Sequence, residues 1–201
     1  MSVPAKLNTK DRLLDAAKRL FAERGFAGAS VRDICTEADA GRNLIHHYFG
    51  SKEGLYQAIL TEFSENTFDV QLRVIAGIPQ SAEEMRFKFT HFITETLEAL
   101  VGQQLVFQIL SRDPDNSMDL TIFKEGLVTF LRQCRGAGYL ASDFAIDMVP
   151  GLLLDRLGNQ VLYALSNRAS GGENILTDEI YRRDWALANA NLFLFGLSDR
   201  D

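Results

Sequence analysis

The sequence is short of several things, and each shortage narrows what it can be. Only two cysteines occur, Cys35 and Cys134, about a hundred residues apart. That argues against a disulfide scaffold and against a cysteine-based zinc site. Four prolines in 201 residues, with no low-complexity tract, argue against long disordered stretches. Three histidines give a hydrolase little to work with. There is no Ser-His-Asp arrangement, no Glu-x-x-His pair and no glycine-rich phosphate loop. No window reaches about eighteen uninterrupted apolar residues, so no membrane span is expected. Residues Met1 to Lys10 lack the apolar run of a secretory signal, which places the expected location in the cytoplasm.

What is present is an ordinary globular mixture, 46% hydrophobic and 24% charged. It suffices for one large core or a small domain joined to a larger one. The net charge of −6 is unevenly spread. Residues 1–60 hold nine Lys/Arg and seven Asp/Glu, and the rest hold twelve and twenty. A mildly basic head on an acidic body suits an anionic polymer held at one end.

Hydrophobic spacing reads as helix nearly throughout, and the expected fold class is all-α. Lys10–Arg24 places Leu13, Ala17, Leu20 and Phe21 on one face, and Gly25 is a stop signal. Ser30 opens a second helix, with Val31, Ile34 and Ala38 inward. After a turn at Asp39-Ala40-Gly41, a third runs from Arg42 to Tyr48. Ser51 caps a long helix expected from Lys52 to Ala76. Further helices are expected from Ser81 to about Val101, Gln104 to Arg112 and Met118 to Arg135, the second ended by Asp113-Pro114-Asp115-Asn116. A long apolar stretch, Ser142 to Ala169, is expected to kink or split at Pro150-Gly151. A Ser170-Gly171-Gly172 loop and a last helix from Thr177 to about Leu197 complete the reading.

Three short helices, the second and third joined by a tight turn, are the skeleton of a helix-turn-helix. Helix two braces the unit and helix three enters the major groove. Ile34, Ala38 and Ile45 suit the inner face; Arg42, Asn43, His46 and His47 suit the outer one. The two adjacent histidines point about 100° apart and cannot share a metal as an i, i+4 pair can, so no metal and no cofactor are expected.

The run Ala16-Ala17, Leu20-Phe21, Gly25-Phe26, Ser30-Val31, Ile34, Ala38, Ile45, Tyr48-Phe49, Ser51-Lys52-Glu53 and Leu55 resembles the DNA-binding domain of tetracycline-repressor (TetR) family regulators. The resemblance covers residues 9–60, about a quarter of the chain. It implies an all-helical homodimer whose variable C-terminal domain senses a small molecule and alters DNA affinity. Carried over, the basic start of helix three falls on Arg42, its phosphate contacts on His46 and Tyr48, the lysine of helix four on Lys52, and the hydroxyl of helix two on Ser30. Asn43 could read adenine, because an amide offers one donor and one acceptor in a plane. The turn departs from the family: Asp39, Ala40 and Gly41 stand where Gly, an aliphatic residue and Ser are common. The expected division is residues 1–51 as the DNA-binding head and 52–201 as the sensing and dimerising body, with 52–76 connecting them.

Nine of the fourteen phenylalanines lie between Phe63 and Phe144. Phe89, Phe92 and Thr96 share one helical face, and Phe123, Leu127 and Phe130 share another. Together they are a candidate apolar ligand cavity, with His91, Thr96 and Gln108 as polar anchors. A filled helical core is the alternative. The two last helices suit a dimer through Leu153, Leu157, Val161, Trp185, Leu192 and Phe193; burial within the chain's own body is the alternative. The leading expectation is a ligand-responsive regulator, a repressor, that binds a palindromic operator as a homodimer and is released by an apolar small molecule. Its partners are then double-stranded DNA, a second copy and that effector, with no membrane. The competing readings are a helical enzyme or lipid carrier whose head contacts another protein, and a DNA-binding protein with a filled body and no ligand.

Overall fold

The computed structural model describes residues 8–112, 118–143, 145–167 and 174–195, apart from the side chains of Ser111 and Phe195. The expected turn at 113–116, the loop at 170–172 and the helix end at Leu197 lie outside the described residues. Among the described residues every regular element is helical, as the spacing of apolar positions requires.

The first three helices are α1 (Thr9–Gly28), α2 (Val31–Glu37) and α3 (Arg42–Phe49). Asn8 caps α1 by accepting from the Asp11 N–H at 3.0 Å. Gly25, at φ +71°, kinks α1 where the sequence signals a stop. Then follow α4 (Lys52–Ser64), a π-helical turn (Glu65–Asp69) and α5 (Val70–Leu72). The single helix expected over 52–76 is therefore three pieces. Beyond these come α6 (Ala82–Gly102), α7 (Gln104–Arg112) and α8 (Thr121–Gly136). A 3-10 turn (Ile146–Met148) leads into α9 (Val149–Ser166), and α10 spans Glu179–Phe195. Pro150 does not kink or split α9. It sits in the first turn, where no intrahelical N–H is required. The Asp178 carboxylate, rather than Thr177, caps the last helix by accepting from the Tyr181 N–H at 3.0 Å.

Packing divides the chain into two units, Met1–Phe63 with Leu105–Met118, and Ser64–Gln104 with Asp119–Asp201. In the first unit, Leu13, Ala17, Phe21, Ile34, Leu55 and Ile59 are fully enclosed. The rings of Phe21, Phe26 and Tyr56 meet with centroids 5.1–5.6 Å apart. Lys18 pairs with Glu62 at 2.9 Å. The α7 segment joins this unit through Phe107 against Phe63 at 5.8 Å and through Arg112, which donates to the Glu23 carbonyl.

The second unit is organised on α6, whose Phe89, Phe92, Ile93, Thr96 and Leu97 are buried. Ser81 and Glu84 cap its start: the Glu84 N–H donates to the Ser81 hydroxyl, and the Gln80 N–H donates to the Glu84 carboxylate. Helix α10 packs along α6, with Arg182 held by Glu98 at 2.6 Å. Helix α8 supplies Phe123, Leu127 and Phe130, and α9 supplies Leu153, Leu157 and Val161. No described helix is long and apolar enough to cross a membrane.

Candidate nucleic-acid interface

Helix α3 separates its faces cleanly. Ile45 is 2% exposed, whereas Arg42, Asn43, His46, His47 and Tyr48 are all exposed. No acidic residue occupies its first turn, so the positive end of the helix stays open to an anion. His46 Nδ1 donates to the Gly50 carbonyl. That bond fixes the ring and leaves Nε2 for an outside partner. The His47 ring packs edge-on against Tyr48 at 5.0 Å.

The turn before α3 explains its unusual residues. Asp39 has φ +48°, a left-handed value that glycine reaches without strain and Asp tolerates. Its carbonyl accepts from Arg12 at 3.3 Å. Beside it opens a cleft of about 440 Å³ lined by Arg32, Cys35, Thr36, Asp39, Ala40, Gly41 and Arg42. Arg32 was not among the expected site residues. The available signal was its four-residue spacing from Thr36, which puts both exposed side chains on one face of α2. Burial raises the Cys35 thiol above its ordinary range, with Arg42 opposing, so it packs as a small apolar group.

Two expected phosphate contacts already have internal partners. The Ser30 hydroxyl donates to the Asp33 carboxylate at 2.8 Å and accepts from the Asp33 N–H at 3.1 Å. That hydroxyl holds the Asp33 carboxyl below the usual carboxylate range. Lys52 donates to the carbonyls of Phe26 at 2.9 Å and Ala29 at 3.1 Å, and its ammonium lies 4.2 Å from the Phe26 ring centroid. An ammonium carries three donors, so one can still face a phosphate.

The expected effector and dimer residues are placed differently. Phe89, Phe92, Phe123, Leu127 and Phe130 are buried, as a cavity or a filled core both require. His91 is no buried anchor: it is exposed, stacked on Phe87 and 3.6 Å from Glu95. The Thr96 hydroxyl donates to its own helix, to the Phe92 carbonyl at 2.7 Å. Gln108 is half-buried and belongs to the first unit, apart from the rest of the set. Leu153, Leu157, Val161 and Phe193 are covered by the chain's own helices and are not free to meet a second copy. Trp185 is half-buried, and Leu192 stays exposed. Among the described residues, the large apolar side chains left exposed on these helices are Leu152 and Tyr163 on α9 and Ile180, Leu187 and Leu192 on α10. Among the described residues no cluster of His, Cys, Asp and Glu could hold a metal ion.

An exposed polar and basic helix, braced by two others across a tight turn, defines a helix-turn-helix DNA-binding protein. Residues 13–59 match the sequence model of bacterial regulatory proteins of the tetR family. The chain is 28% identical over 157 residues to the HTH-type transcriptional regulator UidR of Escherichia coli, covering 73% of this chain and 76% of that one. It is 27% identical over 198 residues to the HTH-type transcriptional repressor NicS of Pseudomonas putida, covering 94% and 92%. The fold is shared with the regulator FadR of Bacillus subtilis in complex with stearoyl-CoA, at a TM-score of 0.72 and 15% identity, over 92% of this chain and 98% of that one. The head of this chain matches the tetR-family DNA-binding domain, and over most of its length the chain is similar to transcriptional regulators.

Proposed function

We propose that the protein is a repressor that binds a palindromic operator as a homodimer and is released when an apolar small molecule enters its second unit. The observation that carries the reading is α3, where Ile45 anchors the helix and Arg42, Asn43, His46, His47 and Tyr48 are presented outward together. Arg42 suits a guanine edge, Asn43 an adenine edge, and the histidines and Tyr48 suit phosphates. Lys52 contributes to the same phosphate face through the donor its two carbonyl bonds leave over, while Ser30, its single O–H held by Asp33, contributes by capping the helix start at that face. Arg32, beside Arg42 in the cleft, adds a further cation. Leu152, Tyr163, Ile180, Leu187 and Leu192 supply apolar surface for a second copy. That surface replaces most of the expected dimer set. The repressor sign is supported by NicS, and an apolar effector by the buried aromatic set; the stearoyl-CoA complex of FadR, an apolar acyl chain on a charged carrier, supports only the apolar part.

Fluorescence anisotropy with the DNA flanking the protein's own gene, across a salt series, tests the reading. Sequence-dependent binding that weakens steeply with salt and falls about tenfold or more in Arg42→Ala is expected. Salt-insensitive or absent binding, there and in a selection from random duplexes, would refute it.

A further inference from the structure

The turn that launches α3 is closed on one side by its own backbone. Asp39, in the left-handed region, stands where a helix end commonly takes glycine. Its N–H donates to the Thr36 carbonyl at 3.3 Å, and the Ala40 N–H donates to the Cys35 carbonyl at 2.9 Å. Those bonds satisfy the end of α2 and leave the Asp39 carbonyl over. Helix α3 then starts from Gly41 with no side chain capping it. A non-glycine residue at positive φ persists only where its surroundings hold it there.

Helix α1 supplies a hold. Arg12 Nη2 donates to the Asp39 carbonyl at 3.3 Å, across 27 residues of sequence, and to the Thr9 hydroxyl at 3.4 Å. Asn8 caps the same turn of α1, and the Arg12 N–H donates to the Asn8 carbonyl at 3.1 Å, which fixes the root of the side chain. The Arg12 Nε–H is shielded from solvent and, among the described residues, has no hydrogen-bond partner. An unmade buried donor works against stability, and two long bonds from Nη2 offset little of that. Stability alone is therefore a poor reason for an arginine here, and local rules are broken most readily where function requires it.

The two kinds of DNA contact differ in tolerance. A hydrogen bond to a base edge weakens steeply as its distance or angle drifts, and Asn43 offers only a short side chain for one. Phosphate contacts come from both helices and backbone, and they carry no sequence information. A tilt of α3 about its start erodes sequence discrimination before it erodes binding to DNA at large.

We propose that Arg12 is a positioning residue for DNA reading: its guanidinium holds the Asp39 carbonyl, fixes the left-handed turn and so aims Arg42 and Asn43 at the base edges, without itself touching DNA. The proposal rests on α3 being the helix that enters the groove.

Arg12→Met keeps the apolar stem and removes the donors, and Arg12→Lys keeps a cation that can reach a carbonyl. The full chain is titrated by anisotropy with two duplexes across a salt series: the one bound best in the selection from random duplexes, and a shuffled duplex of the same composition. In Arg12→Met the affinity for the selected duplex is expected to fall about tenfold, the loss of one base contact. Affinity for the shuffled duplex should stay within about twofold, with its salt slope unchanged. Arg12→Lys should recover most of the discrimination, and Tm should change by less than about 5 °C in both variants. Equal losses on both duplexes, with a salt slope lower by about one, would make Arg12 a phosphate contact and overturn the proposal. An unchanged ratio of the two affinities would overturn it as well, and so would a larger fall in Tm, which would make Arg12 a support of the whole head. A wild type that does not distinguish the duplexes sinks the regulator reading itself, whereas discrimination that survives in Arg12→Met sinks only the role of Arg12.

Discussion

Asp39 holds φ at +48° in the turn ahead of the reading helix, and its carboxylate shares a cleft with Arg32 and Arg42. Glycine would take that backbone without strain, and its loss of unfolded-state entropy offsets only part of the gain. Asp39→Gly is expected to stabilise the protein by about 0.5 kcal/mol in urea unfolding. It should also tighten operator binding roughly threefold, because a negative charge leaves an anion-binding face. Weaker binding would instead assign the carboxylate a positive part in recognition. Lys52 and Arg42 should separate in the same measurements. Arg42 is exposed, so Arg42→Ala should weaken DNA binding and leave stability within about 0.5 kcal/mol. Lys52 ties α4 to the carbonyls of Phe26 and Ala29, so Lys52→Ala should lose about 1–2 kcal/mol of stability along with affinity. The exposed cations of α3 were legible in sequence. The inward commitments of Lys52 and Ser30 were not, because their partners lie in backbone brought near by folding.

Helix starts were legible where a capping side chain sits beside them, as at Ser30 and Ser81. Four carboxyls near such starts are held below their ordinary range. The Ser30 hydroxyl lowers Asp33, its own N–H and Ser51 lower Glu53, the Gln80 N–H lowers Glu84, and Thr121 lowers Asp119. A carboxyl lowered in the folded state stabilises the protein above its unfolded pKa and stops doing so as pH falls through the folded one. Tm is therefore expected to hold from neutral pH to about pH 4.5 and to fall below it, with a shallower fall in Glu84→Gln; a flat profile to pH 3 would contradict this. The π turn at Glu65–Asp69 was invisible beforehand, since nothing in Glu-Asn-Thr-Phe-Asp differs from an ordinary helical stretch. Its geometry is set by packing on α6 and α8. Pro150 shows the reverse case, a helix breaker that is harmless because the helix begins beside it.

At the scale of the whole molecule, the split between buried and exposed apolar residues sets what can meet a second copy. Leu152→Glu and Leu187→Glu are each expected to yield folded monomers in sedimentation equilibrium, with operator affinity reduced by more than tenfold. Leu157→Glu should fail to fold, because it puts a charge into the chain's own core. Dimers that survive both surface changes would remove this face from the assembly. The all-α class, the order of helices and the reading head followed from sequence by itself. Helical period, caps and breakers are local properties, and the helix-turn-helix residues sit within about fifty positions of one another. Only tertiary structure decided which apolar residues are core and which are surface. Leu152 and Leu153 are neighbours of identical chemistry, yet one is 51% exposed and the other 0%. Every face of α9 carries leucine, and the helices that fold against it, encoded elsewhere in the chain, cover one side and leave the other bare.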